Sequence, residues 1–464
     1  MVEALATSPQ TKKYLVHFIK KFKLIDFCLP EFESLATLFI PGALGSWAPG
    51  RPQPCIETLR RNLYCQPRDT INIAKHPLVY ANLPEDAGVI DRIIKRSILV
   101  KEVVDVISEA KTYDSLLQSV DKEKLFPILE SGKSFKFNIE GIGRKISHKE
   151  QVEIIESFGI FPFSKNVDLK NPEIIFKIIE NSEDHVIYFG TEVASNRVEE
   201  DTFHYKFDLK KRPYLGPTST DHQLAFLMAN QGQVSLGDFV YDPFVGTGSI
   251  VLACQYFNAF CFGGDLDIRV LKGYGVGRKT HNKVEGLEKI KKFDIYTNFY
   301  HYKMPVPEFF IMDCSNPAVH AQASNLRQPV FDSIVCDPPY GVRARSQKVG
   351  VSETKKKRQE RKAAEKMEAS EEEEVQDDDH DMPHFSMKEH YDVLKVYDDL
   401  LENASKILRP GGRLVFLFHT DTSLPAEKNK FPTHPAFEFI CSSENNLTKC
   451  RARHLITMIK RVEE

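Results

Sequence analysis

The sequence predicts an α/β protein: a mostly parallel sheet over its C-terminal half, preceded by α+β material. Three observations carry this. From about residue 213 to 464, apolar runs rich in β-branched and aromatic residues alternate with helical patterns, as strand–helix–strand units do. The first four of these runs each end in an acid: Asp242, Asp265, Asp313 and Asp337. At 464 residues the chain is too long for one ordinary core, so two or three domains are expected.

Upstream of about residue 205, the helical pattern DRIIKRSILVKEVVDVISEA (91–110) alternates with short strands, SFKFNIEGI (134–142) and HVIYFGTEVA (185–194). GALGSWAPGRPQP (42–54) reads as loop from its Gly and Pro density. The later strands are FVYDPF (239–244), AFCFGGD (259–265), FFIMD (309–313), FDSIVCD (331–337) and RLVFLFH (413–419). In an open parallel sheet, ligands sit outside the carboxyl ends of the strands. One strand-end Asp can be merely a helix N-cap, but four in series are expected to face one crevice.

DPFVGTGS (242–249) follows the first of these strands and leads into the helical IVLACQYF. Gly246 and Gly248 permit a tight turn, and the new helix offers free N–H groups to an acidic ligand group. The stretch lacks the third glycine of a dinucleotide fingerprint and the Gly-Lys-Ser/Thr of a P-loop. Asp265 ends the next strand, where an acid accepts from both hydroxyls of a ribose. Asp313 ends the third, where a base would lie. The spacing indicates an adenosine-type ligand whose tail meets the glycine turn.

SIVCDPPYGVRAR (333–345) ends its strand on an acid, two prolines and a tyrosine. Pro338 and Pro339 fix φ and donate no N–H, so the backbone is stiff and presents carbonyls without local partners. With Asp337 and the ring of Tyr340 they form a rigid acceptor group beside a flat apolar face. That suits a flat substrate carrying an N–H donor.

Hydrophobic content of 42% and charged content of 27% are those of a soluble globular protein. The nine cysteines are scattered without a C-x-x-C pair, which argues against a disulfide framework and a zinc site. MVEALATSPQTKKYLVHF has no signal-peptide pattern, and no stretch approaches a membrane span, so a reduced, cytoplasmic location is expected. Residues 354–381 run basic and then strongly acidic with almost no apolar residue. Such a segment is expected to be a disordered insertion, about 344–383. Without its acidic end, the net charge of −3 becomes mildly positive.

DPFVGTGS, GGDLD, the DPPYG stretch and LRPGG (408–412) together resemble class I S-adenosylmethionine-dependent methyltransferases, in the exocyclic-amino branch. The resemblance implies a Rossmann-like domain with a seven-stranded sheet ending in a reversed hairpin, FEFICSS (437–443) and HLITMIKRV (454–462). It implies S-adenosyl-L-methionine as cofactor, held by Asp242, Pro243, Phe244, Gly246, Thr247 and Gly248 at the methionine portion, Asp265 at the ribose and Asp313 near the adenine amino group. Asp337, Pro338, Pro339 and Tyr340 are the implied catalytic residues, and no metal is implied.

Enzymes with this motif methylate adenine, cytosine or guanine amines or protein glutamine, so the motif leaves the substrate open. The upstream region 91–205, including VDLKNPEIIFKIIE (167–180), resembles a THUMP domain, and FDLKKRPYLGPTSTDHQLAFLMANQ (207–231) resembles the junction in catalytic subunits of tRNA guanosine-10 N2-methyltransferases. YLVHFIKKFKLIDFCLPEFESLATLF (14–39) is similar to their N-terminal, ferredoxin-like domain. The implied domains are 1–90, 91–205 and 206–464, and the implied partners are tRNA and a small zinc-binding activator protein in a heterodimer, with no membrane. An extruded base needs an aromatic platform, so Tyr340 and Arg343 are the substrate-binding candidates, Phe244 and Arg345 secondary ones. The KKR at 210–212, between the domains, is placed to touch RNA, although a solvated linker is the simpler reading. A glutamine methyltransferase would carry Asn at 337 and no RNA-binding module; a decayed, non-catalytic RNA-binding protein would have lost DPPYG or the strand-end acids.

Overall fold

A computed structural model describes residues 11–40, 56–163, 166–196, 202–274, 278–279, 293–315, 329–340, 346–349 and 388–462. The chain divides into two compact units, Met1–Phe203 and His204–Glu464. The loop expected at 42–54 lies outside the described residues.

In the first unit the described strands are β1 (Thr11–Phe18), β2 (Leu78–Pro84), β3 (Val100–Ala110), β4 (Phe135–Ile142), β5 (Ile174–Asn181) and β6 (Val186–Ser195). They form one sheet in the order β2-β1-β3-β6-β5-β4, so the two domains expected to meet near residue 90 share it. The helix expected over 91–110 covers only its beginning. Ala87–Arg96 is helical, its first N–H groups capped by Asp86 and its last turn carrying Lys95 and Arg96. Val100–Ala110 is instead a strand between β1 and β6. VKEVVDVISEA places apolar residues at helical spacing, but its β-branched residues fit a doubly paired strand better.

A buried ion group crosses this sheet. Glu102 on β3 accepts from Lys177 Nζ of β5 at 2.7 Å, and its other oxygen lies 3.0 Å from His17 Nδ1 of β1. Burial pushes the Glu102 carboxyl up, but His17 and Lys177 outweigh burial and hold it at about 2. Removing one partner of a buried pair costs roughly 3–5 kcal/mol, whereas replacing both with neutral groups of similar size is far milder. Calorimetry should therefore find a lower thermal midpoint for Lys177→Ala, largely recovered in a Lys177→Met, Glu102→Gln double variant. Because the folded pKa lies below the unfolded value of 4.5, the stabilisation from Glu102 is complete above that pH and fades as pH falls toward 2.

The second unit contains β7 (Tyr214–Leu215), β8 (Phe239–Asp242), β9 (Phe260–Asp265), β10 (Arg278–Lys279), β11 (Glu308–Ile311), β12 (Phe331–Cys336), β13 (Gln347–Val349), β14 (Lys388–His390), β15 (Leu408–Asp421), β16 (Phe437–Asn446) and β17 (Arg451–Lys460). Seven of them form the sheet β11-β9-β8-β12-β15-β17-β16. β11 to β15 run parallel, and β17 inserts antiparallel between β15 and β16. This is the Rossmann-like sheet of class I methyltransferases, closed by the reversed hairpin. Strand order changes direction between β8 and β12, so a crevice opens at their carboxyl ends.

Two expectations change here. RLVFLFH lies inside β15, paired on both sides and buried through Phe418, and gives a partner no exposed apolar face. Residues 347–349 pair with 388–390, so the described chain near the charged insertion is an antiparallel ribbon; residues 350–387 lie outside the described residues. No described helix is long and apolar enough to cross a membrane.

Candidate functional site

A cavity of about 430 Å³ opens at the carboxyl ends of β8, β9 and β12. Its lining includes Asp242, Pro243, Phe244, Gly246 and Thr247 from the turn after β8, and Asp265 from β9. Asp337, Pro338, Pro339 and Tyr340 complete it after β12.

The turn is glycine-dependent. Gly246 and Gly248 have φ of 53° and 83°, in the left-handed region. A Cβ on Gly248 would also come within 3.2 Å of Ile295 Cγ1. Gly248 sits behind the lining and starts the helix Ser249–Tyr256. Buried Asn298 donates from Nδ2 to the carbonyls of Thr247 at 3.1 Å and Tyr214 at 3.0 Å, which ties the turn to β7.

The four lining acids, Asp242, Asp265, Asp267 and Asp337, differ in their partners. Asp265 accepts from the N–H groups of Gly246 at 3.0 Å and Asp267 at 2.7 Å, and burial raises its pKa. Asp267 is driven the other way: burial opposes ionisation, but Arg269 and Lys388 outweigh it and hold its pKa at about 2. Asp242 accepts from the Phe244 N–H at 2.9 Å, and its Oδ2 finds no partner among the described residues. Burial, with the charges of Asp337 and Asp265 added, lifts its pKa well above the carboxylate range. Asp337 Oδ2 accepts from the Thr220 hydroxyl at 3.2 Å. Asp337 Oδ1 lies 3.7 Å from His419 Nε2, and neither has a hydrogen-bond partner among the described residues.

Asp313 is not among the lining residues; Met312 and Cys314 on either side of it are. Its carboxylate accepts from the Ser315 N–H and hydroxyl, at 2.8 and 2.7 Å, and from the Val349 N–H at 2.6 Å. Arg343 and Arg345 lie outside the described residues. The 210–212 stretch is not a uniform solvated linker. Lys210 and Lys211 are exposed, but Arg212 is buried beneath the glycine turn, where its guanidinium donates to Ser249 and Thr247. Nothing local in the sequence distinguishes Arg212 from its neighbours. Sequence reasoning also missed His419, whose ring stacks on Tyr340 with centroids 3.9 Å apart and planes at 21°. Its only signal is its place at the end of the apolar run of β15.

The arrangement puts a glycine turn and helix start on one side of a cavity and a rigid acceptor group on the other, with four carboxylates in the lining. Asp242 tests the electrostatics. A folded-state pKa above the unfolded 3.8 means that the folded chain binds more protons, so this group destabilises the fold increasingly as pH rises above that value. Asp242→Asn keeps the shape and removes the charge. Thermal midpoints followed from pH 4 to 7 should rise in the variant relative to the parent, with the gap widening toward pH 7.

Residues 72–195 match the family model described as the Tmrp11 THUMP N-terminal domain. The chain is 28% identical over 470 residues to the Pongo abelii protein named tRNA (guanine(10)-N(2))-methyltransferase TRMT11, covering 98% of this chain and 90% of that protein. It is 29% identical over 400 residues to the Rattus norvegicus protein of the same name, covering 83% and 79%. The crystal structure of TrmN from Thermus thermophilus aligns over 97% of this chain and 100% of that chain, at 16% identity and a TM-score of 0.38. The chain thus combines a THUMP-type N-terminal region with a seven-stranded α/β sheet that carries a cavity at its strand ends, and over most of its length it is similar to proteins named tRNA (guanine(10)-N(2))-methyltransferase TRMT11.

Proposed function

We propose that this chain transfers a methyl group from S-adenosylmethionine to the exocyclic N2 amine of guanosine 10 in tRNA. One observation carries the reading: the glycine turn, Asp265 and the Asp337–Tyr340 acceptor group line a single cavity. A methyl donor on the first and a flat amine on the second would meet there.

In this reading the turn from Asp242 to Gly248 holds the methionine portion and Asp265 accepts from the ribose hydroxyls. Adenine lies against Met312 and Cys314, with Asp313 bracing their loop through Ser315 and Val349. A base inside a duplex is unreachable, so the guanosine is extruded and stacked at Tyr340, which His419 holds from one side. The N2 lone pair is delocalised into the ring. As the methyl group transfers, nitrogen rehybridises and its N–H groups become more acidic, so acceptors already aimed at them strengthen most in the transition state. Asp337 and the Pro338 carbonyl are those acceptors. Arg343, beyond the described residues, is proposed to grip a neighbouring phosphate.

Residues 91–205 would dock the tRNA, 1–90 support them, and 206–464 catalyse. We further propose a cytoplasmic heterodimer with a small zinc-binding activator. Among the described residues β11 and β16 each pair with one neighbour in the seven-stranded sheet, with Ile311 and Phe439 half exposed, so these edges are the candidates to receive it.

Incubation with unmodified tRNA and labelled S-adenosylmethionine, followed by nucleoside analysis, should yield N2-methylguanosine at position 10. Another nucleoside, or label on a protein glutamine, would reject the reading. Asp337→Ala should slow single-turnover transfer by roughly 10²–10³-fold, as loss of one transition-state hydrogen-bonding group does. Asp337→Asn, which keeps an acceptor oxygen, should retain appreciably more, and S-adenosylmethionine affinity should hold in both. Equal losses would indicate a carboxylate acting as base.

A further inference from the structure

We infer that Arg212 supplies the positive charge that holds the carboxylate of the cofactor's methionine portion, acting through the hydroxyls of Thr247 and Ser249. This rests on the cofactor proposed above and names the group that binds its amino-acid end.

Arg212 is 2% exposed. Nη1 donates to Ser249 Oγ at 2.7 Å and Nη2 to Thr247 Oγ1 at 3.2 Å, while Nε has no partner among the described residues. Among the described residues no carboxylate forms an ion pair with this guanidinium. Burial draws its pKa down to about 10, which leaves it cationic at neutral pH. A buried cation without a counter-charge is costly, and an anionic ligand beside it recovers that cost.

The two hydroxyls place such an anion. Each has accepted a guanidinium N–H, so its own proton turns away from Arg212. Thr247 shares its hydroxyl with Ser219 at 2.9 Å, and both Thr247 and Ser249 line the cavity. Ser249 also opens the helix Ser249–Tyr256, whose N-terminal N–H groups favour negative charge. Elsewhere the lining carries Asp242, Asp265, Asp267 and Asp337, which would repel a carboxylate, and its cations Arg269 and Lys388 are both paired with Asp267. The amino-acid end therefore divides. Its carboxylate faces the Thr247–Ser249 corner, and its ammonium faces the acids, nearest the unpartnered Oδ2 of Asp242.

Arg212 is thus a positioning residue, and the test asks for selectivity. S-adenosylhomocysteine carries the carboxylate; 5′-methylthioadenosine shares its adenosine but lacks the amino-acid end. By calorimetry on the full chain, Arg212→Gln should weaken S-adenosylhomocysteine about 10–100-fold, the range for a hydrogen bond to a charged group, and leave 5′-methylthioadenosine nearly unchanged. Retained 5′-methylthioadenosine binding also shows that the variant is folded. Ser249→Ala, a milder change, should show a smaller loss in the same direction. Equal weakening of both ligands, or unchanged S-adenosylhomocysteine affinity, would overturn the inference and leave the cofactor reading standing. A parent protein that binds neither ligand would overturn both.

Discussion

The left-handed turn at Gly246 and Gly248 is the constraint on which the second unit depends. It lets the chain leave β8, pass over the sheet edge and start a helix within a few residues, so backbone N–H groups meet the crevice. Three side chains, two buried and one half-buried, fix it from outside the turn: Asn298 through the Thr247 carbonyl, Arg212 through two hydroxyls and the half-buried Asp265 through the Gly246 N–H. A side chain on Gly248 would be strained by its left-handed φ and would crowd Ile295 at 3.2 Å.

Charge at this site is concentrated and unevenly compensated. Burial holds Asp242 and Asp265 above their ordinary range, while Asp267, with Arg269 and Lys388 beside it, is held below. Arg212 is buried with no acid paired to it among the described residues. The first unit handles buried charge differently. Glu102 is satisfied by His17 and Lys177 inside the fold, and the group braces β1, β3 and β5 without calling for a ligand. The contrast supports the proposed ligand site: buried polar groups are normally partnered, and those left over are candidates for contacts to a ligand.

The acceptor arm after β12 follows the same logic of rigidity. Pro338 and Pro339 fix its backbone, Thr220 holds one oxygen of Asp337, and His419 covers one face of Tyr340. In the proposed function the arm would therefore meet its substrate with little left to organise, which is where preorganised acceptors gain their advantage.

The sequence alone determined the features that local pattern controls. Strands β8, β9, β11, β12 and β15, the glycine turn and the acids after them are all written in contiguous residues, because alternation, φ preference and proline stiffness act over a few positions. Only the tertiary structure decided the rest. Val100–Ala110 became a strand because β1 and β6 pair with it from either side. Asp313 turned to Ser315 and Val349 instead of the cavity, a contact spanning 36 positions. Arg212 reaches Ser249 across 37 positions and Thr220 reaches Asp337 across 117. A side chain's role in such pairs is set by what the fold brings beside it, and no pattern within its own segment carries that information.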